Sequence, residues 1–216
     1  AWDGTDWNQR GSDLTSEGSG DKIGYSVSLS NDGTILACGA PLNTGDTGVK
    51  AGHVRVYGWN GSIWNQIGDD IDGEGANDWS GHAVSLSGDG SIVAIGDRFN
   101  DGSGFNAGSA RIFWFNGTSW VQLGDSIEGG AANDRFGYSL SLSSSGFILA
   151  IGSRANYAIA YEWDGSSWIQ LGQQLSGMPN SFGFSVALSP EGLHFAVGFD
   201  SSMDIPQSAL VFDYTS

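Results

Sequence analysis

Positive charge, cysteine, proline and long apolar runs are all scarce in this chain, and each scarcity removes a class of function. Lys and Arg number 8 among 216 residues against 24 Asp and Glu, a formal net charge of −16. Nucleic-acid binding needs a basic stripe to neutralise phosphates, so this balance argues against it, and equally against anionic membrane surfaces. No run of 18 apolar residues exists, which speaks against membrane insertion by a helix. Cys38 is the single cysteine, so no internal disulfide can form and the redox compartment stays open. Heptads and long amphipathic stretches are missing, which predicts a fold with almost no helix. Chemistry is scarce too. The three histidines are scattered, and neither a metal trio nor a Ser-His-Asp arrangement can be argued from them. No cofactor and no metal ion is expected.

Glycine, by contrast, is abundant: 35 residues, without a G-X-Y period, standing beside Asn, Asp and Ser as tight β-turns require. The turns punctuate a repeat. Trp59-Asn60-Gly61-Ser62-Ile63-Trp64-Asn65-Gln66-Ile67-Gly68 recurs as Phe115 to Gly124 and as Trp163 to Gly172. A fourth copy, Trp2 to Gly11, opens the chain, and its matching first half lies at the far end, from Phe182 to Tyr214. In the clearest unit, Ser80 to Ser87 alternates as a strand, Gly88-Asp89-Gly90 is a hairpin turn, and Ser91 to Gly96 is a continuously apolar strand. Arg111 to Phe115 is a third strand, and Ser119 to Ile127 a fourth. Four antiparallel strands per unit, at a period of about 50 residues, make a twisted meander the size of a propeller blade.

The expected fold is therefore all-β: one domain over 1–216, a four-bladed β-propeller with blades at 23–71, 80–127, 136–175 and 182–214. The outer strand of the last blade is supplied by residues 6–14, with Trp7 in the core and Leu14 at its end. Pairing of this N-terminal strand with Ala209 to Tyr214 would remove two exposed edges. An open array, in which each chain donates that strand to the next, forms the same hydrogen bonds. Small residues near the axis, such as Ser26, Ser28, Ser139 and Ser141, fit a tightly wedged ring.

The unit resembles the FG-GAP repeats of integrin-α-head-type propellers. Phe136-Gly137 and Phe182-Gly183 match the Phe-Gly that opens the inner strand, and Gly39-Ala40-Pro41 matches the Gly-Ala-Pro that ends the second. Ile23-Gly24 and Ser80-Gly81 are degenerate, and Gly96, Gly152 and Gly198 keep only the glycine. Four blades depart from the seven common in that family. The family's calcium loop is missing: Asn31-Asp32-Gly33 and its equivalents have too few oxygen donors. The resemblance implies extracellular adhesion or scaffolding more often than catalysis.

Site expectations follow from which residues the repeat does and does not explain. His82 and His194 take core positions, His53 a strand start at the surface, and Cys38 the place of buried Ile95 and Ile151. The paired tryptophans read as packing between units. Trp79 and Trp114 do not recur, so both are expected to face a partner, as is Tyr214 in the surplus at the chain's end. Asp21, Asp78 and Asp134, each three residues before an inner-strand glycine, are expected to tie connectors to backbone N–H groups. Asn60 and Asn116 are glycosylation candidates on exposed turns, and the chain's opening on Ala1 reads as a processed product. Together these point to a secreted, non-enzymatic structural or adhesive module. Its partner would be a protein or glycan surface, or another copy met through the terminal strands. A lectin is the alternative.

Overall fold

The computed structural model describes residues 4–177, 182–199 and 209–214. Among them there is no helix, and 17 strands form four antiparallel sheets. Each sheet is drawn from one repeat. Sheet 1 holds β1 (Ser26–Leu29), β2 (Ile35–Ala40), β3 (His53–Trp59), β4 (Trp64–Gln66) and β5 (Ile71–Asp72). Sheet 2 holds β6 (Ser80–Leu86), β7 (Ile92–Asp97), β8 (Ser109–Phe115), β9 (Trp120–Gln122) and β10 (Ile127–Glu128). Sheet 3 holds β11 (Ser139–Leu142), β12 (Ile148–Gly152), β13 (Tyr157–Trp163) and β14 (Trp168–Ser176), and sheet 4 holds β15 (Phe182–Leu188), β16 (His194–Phe199) and β17 (Ala209–Asp213).

Local sequence explains the meander. The first turn of each unit closes with the amide of Gly33, Gly90, Gly146 or Gly192 donating to a serine carbonyl three residues earlier. Each of these glycines sits at a φ between 67° and 78°, where a Cβ would be strained. The outer strand expected to run unbroken from Ser119 to Ile127 is instead two pieces, β9 and β10. Gly124, at φ 77°, turns the chain out of the ladder between them, as Gly68 does between β4 and β5. In sheet 3 a register shift between Ala158 and Ala160 absorbs the same kink, and β14 continues through Gly172.

The sheets pack in chain order. β6 lies against β1 and β2, β11 against β6 and β7, and β15 against β11 and β12. Three cores result. Val54 and Val56 meet Val84, Val93 and Ile95; Ile112 and Phe136 meet Leu149 and Ile151; Ala150 and Ala158 meet Phe182 and Val197. Each seam carries the same polar devices. The amides of Leu86, Leu142 and Leu188 donate to the hydroxyls of Ser28, Ser85 and Ser141, each at 2.9 Å. The turns form a ladder of their own: Asn31 N–H to Gly88 O at 2.8 Å, Gly88 N–H to Ser144 O at 2.9 Å, and Ser144 N–H to Pro190 O at 2.8 Å. Backbones nearly touch between these bonds. A Cβ added to Gly39, Gly96 or Gly152 would lie 2.1 Å from the carbonyl oxygen of Gly81, Gly137 or Gly183.

A fourth seam, between sheet 4 and sheet 1, is not made among the described residues. β1 has no contact with β15 or β16 comparable to the other three. The two bonds common to the other seams are also chemically excluded there. Ala187 stands where Ser28, Ser85 and Ser141 supply the hydroxyl, and Pro190, next in the turn ladder, has no N–H to donate. The expected pairing of residues 6–14 with Ala209 to Tyr214 is not found among the described residues. Among the described residues β17 pairs with β16 alone, residues 4–14 hold a single bridge at Trp7 and no strand, and Trp7 is 83% exposed rather than in the core. Leu14 is half-buried. The N-terminal segment is instead held on sheet 1. Trp64 Nε1 donates to Arg10 O at 2.9 Å, the Arg10 guanidinium stands 5.1 Å from the Trp59 ring centre, and Arg10 Nη1 donates to Gly33 O.

The near-contact between backbones yields a stability test. Gly96→Ala places a methyl group against the Gly137 carbonyl, so the seam must open or the strand must shift. Overpacking of this kind costs about 1–3 kcal/mol, and chemical denaturation should show it. A surface control at an exposed hairpin tip, Ser62→Ala, should leave the midpoint almost unmoved.

Candidate functional site

The four inner strands start with residues in one repeat position: Tyr25, His82, Tyr138 and Phe184. Their rings form a continuous row, with centroids 5.3, 4.8 and 5.2 Å apart. Cations lie over this row. Arg98 sits 4.5 Å from the Trp79 ring, 4.3 Å from Phe99 and 5.7 Å from Tyr138. Arg154 covers Tyr138 and Phe184, Arg135 covers Phe99, and Lys22 covers Tyr25. Half of the chain's 8 basic side chains therefore gather at one place on a strongly acidic protein. Two of these cations and Trp79 stand on an unusual backbone. Lys22, Trp79 and Arg135, equivalent in the repeat, all adopt left-handed φ values of 61°, 58° and 50°. A non-glycine residue held there is strained, and such strain concentrates at sites with work to do.

His82 lies buried beneath. Its Nε2 is 2.9 Å from Arg98 Nη1. A guanidinium can only donate, so this nitrogen accepts and the imidazole is neutral. Burial, followed by the positive charges of Arg98 and Arg154, pushes the His82 pKa down to about 4. Arg98 meets no carboxylate among the described residues, and its Nε is buried without a hydrogen-bond partner. The arrangement offers flat apolar faces edged by guanidinium donors, a combination suited to an anionic group carried on a ring.

A second candidate lies at the open end of the sheet stack. One tryptophan at the start of each of β4, β9 and β14 locks that strand to the unit before it. Trp64, Trp120 and Trp168 donate Nε1 to the carbonyls of Arg10, Ile67 and Leu123, at 2.8–2.9 Å, and their rings approach the following glycine, Gly11, Gly68 or Gly124. The next docking pair is Leu171-Gly172. Nothing among the described residues lies within 4 Å of a Cβ placed on Gly172. A cavity of about 390 Å³ opens there, lined by Leu171, Gly172, Leu175, Phe195, Phe212 and Tyr214 among others.

A third cluster joins Glu17, His53 and Asp70, whose ligand-type atoms lie within 4.8 Å of one another. Arg55 occupies the space between the carboxylates, forking Asp70 through two bonds of 2.8 Å and pairing with Glu17. The guanidinium thus sits where a cation would, and burial pushes the His53 pKa down. This is an ion-pair network that fastens the N-terminal segment to sheet 1.

Expected and observed sites differ in instructive ways. Asp21, Asp78 and Asp134 do accept from the backbone amides of Gly18, Gly75 and Ala131. Trp114 is exposed and Tyr214 lines the cavity. Trp79 is half-buried, its ring edge-on to Phe99 and 4.5 Å from the Arg98 guanidinium. His53 is almost fully buried rather than at the surface, and His194 is exposed, 2.8 Å from Asp213, rather than in the core. Asn60 and Asn116 are exposed at hairpin tips, each Oδ1 accepting amides two and three residues ahead. The sequence reading missed the cationic row. Its signal was there: Arg98 and Arg154 share the repeat position of Pro41, and Lys22 and Arg135 share another.

No family model matches the chain, and a search of curated proteins finds no relative.

His82 sets a pH test. Its folded pKa lies below the ordinary 6.5, so its contribution to stability is complete above pH 6.5 and is lost as pH falls toward 4. The variant His82→Phe, which copies Phe184, should flatten that part of the stability profile. Denaturation midpoints from pH 4 to 7, compared between the two proteins, provide the check. Equal slopes would mean that His82 does not titrate as described.

Proposed function

We propose that this chain is a secreted, non-enzymatic interaction module: a four-bladed β-propeller of the FG-GAP kind, open at one seam, that serves as a structural or adhesive unit. One observation carries the reading. Both ends of the sheet stack expose apolar residues whose internal counterparts are buried. Val27 and Leu29 on β1 are 61% and 55% exposed, whereas Val84 and Leu86, their equivalents on β6, are 8% and 6% exposed. At the other end Val211 on the β17 edge is 68% exposed. Apolar sheet faces and unpaired strand edges of this kind are covered by partners in working assemblies.

The acidic groups support a structural role. Asp78, pushed up to about 6 by burial and then by the nearby Asp97, spends its oxygens on the Gly75 amide and Asn100. Asp97 is locked to Arg111 at 2.5 Å. Glycans on Asn60 and Asn116 would project from hairpin tips, which fits an extracellular setting. A second reading, a lectin for acidic sugars, is favoured by the cationic aromatic row, where a pyranose face would stack and a carboxylate or sulfate would meet Arg98.

Light scattering of the purified chain across a wide concentration range tests the first reading. A mass that rises with concentration, beyond one subunit, is expected, and a strict monomer that also fails to coat or bind any surface would overturn it. An array of acidic and neutral glycans tests the second. Retention of acidic sugars that drops at least tenfold in Arg98→Ala is the expected result for a lectin.

A further inference from the structure

We infer that Arg98 and Arg135, at the row of Tyr25, His82 and Tyr138, form a binding site for one tetrahedral oxyanion, a sulfate or phosphate ester carried on a sugar. This rests on the lectin reading above and names the chemical group that the sugar must carry.

Arg98 is the side chain that points to a ligand. The two buried arginines among the described residues are both paired with acids: Arg55 with Asp70 and Glu17, and Arg111 with Asp97. Arg98 is half-buried and meets no carboxylate among the described residues, although the chain holds 24 acidic residues against 8 basic ones. Its Nη1 donates to the neutral His82, and its Nε is buried without a partner. A second guanidinium stands over the same Phe99 ring. Arg135 lies 5.2 Å from the ring centre, and its side chain makes no hydrogen bond and no ion pair among the described residues. Burial holds the Arg98 pKa below its ordinary value, and the charges of Arg135 and Arg154 add to the push. A charge withdrawn from water and set beside like charges is costly until an anion arrives. A chain so rich in acids places none here, and the compensating charge comes from a ligand.

The donors select the anion. A planar carboxylate is taken up by one guanidinium fork, as Asp70 is by Arg55. Here two guanidinium groups share one ring and both have donors to spare, which suits an anion whose oxygens spread in three dimensions. The sugar has a place as well. Tyr25 Oη and Arg98 Nη1 meet at the same nitrogen, His82 Nε2, at 3.4 and 2.9 Å. Tyr25 ends the row and is 47% exposed, so its ring is open to a pyranose face while Arg98 beside it takes the ester. Phe99 and Tyr138 already carry guanidinium groups over their rings, which leaves stacking to this end. Lys22, 5.8 Å from the Tyr25 ring centre, adds positive charge there.

Calorimetric titration at low ionic strength tests the site, with inorganic sulfate, inorganic phosphate, a hexose sulfate, a hexose phosphate and a hexuronic acid as probes. The esters should bind at least about tenfold more tightly than the hexuronic acid, and the tighter of the two identifies the ester. The matching inorganic ion should bind more weakly and compete. Arg98→Gln should lower ester affinity at least about tenfold. Its unliganded denaturation midpoint should hold or rise, because an uncompensated charge has been removed. Arg135→Gln is the second variant and should lose affinity in the same direction. Arg10→Gln makes the same change of charge outside the row and should leave affinity unchanged. A hexuronic acid bound as tightly as the esters would overturn the oxyanion assignment and keep the lectin reading. Inorganic sulfate or phosphate bound as tightly as the esters would remove the sugar, and the lectin reading with it, and keep the oxyanion site. No binding of any probe, or full affinity in both variants of the row, would overturn the inference outright.

Discussion

The whole architecture depends on backbone approaching backbone where the inner strands meet. At Gly39, Gly96 and Gly152 the next sheet's carbonyl comes closer than any side chain would permit. Sheets that pack face to face through side chains usually stand about 10 Å apart. Removing the Cβ at one end of each sheet lets that end pinch while the other end, filled by tryptophan and phenylalanine, stays wide. The close approach of the inner strands follows from this difference. So does the reach of Ser28, Ser85 and Ser141, whose short hydroxyls span the gap only because the strands are so close.

The same pinch assembles the cationic row. Once the inner strands converge, the residue after each inner glycine must lie beside its counterparts, and Tyr25, His82, Tyr138 and Phe184 come into ring contact without any choice of rotamer being decisive. The connectors arriving at that point have to reverse direction within a residue or two, which is where the left-handed Lys22, Trp79 and Arg135 occur. Guanidinium groups tolerate this crowding because they stack on aromatic faces while keeping their donors at the edge. A lysine-poor, acid-rich chain thus presents a local field opposite in sign to its average.

What repeats was legible in the sequence. Turn glycines, the connector aspartates and the tryptophan locks each occur three or four times, and a physical requirement met repeatedly leaves a visible period. What depends on a particular neighbour was not. His194 occupies a position filled by Ile35, Ile92 and Ile148 elsewhere, and so reads as core, but sheet 4 is the last in the stack and no sheet among the described residues covers that face. His53 reads as a strand start at the surface, yet Arg55, Asp70 and Glu17 fold over it, an association between segments far apart in sequence. Counting strands identifies the unit to which the N-terminal segment belongs, whereas its attachment to sheet 1 through Arg10, Trp64 and Gly33 depends on contacts between segments far apart in sequence.

Ala187 and Pro190 deserve a reading as a pair. A necklace of identical links breaks anywhere, with equal chance at each. Here three links carry the serine and turn hydrogen bonds and the fourth has had them deleted by two ordinary side chains. Mechanical or thermal stress on the molecule is thereby given one address. The repeat makes the clasp fit, and two substitutions decide that it is a clasp.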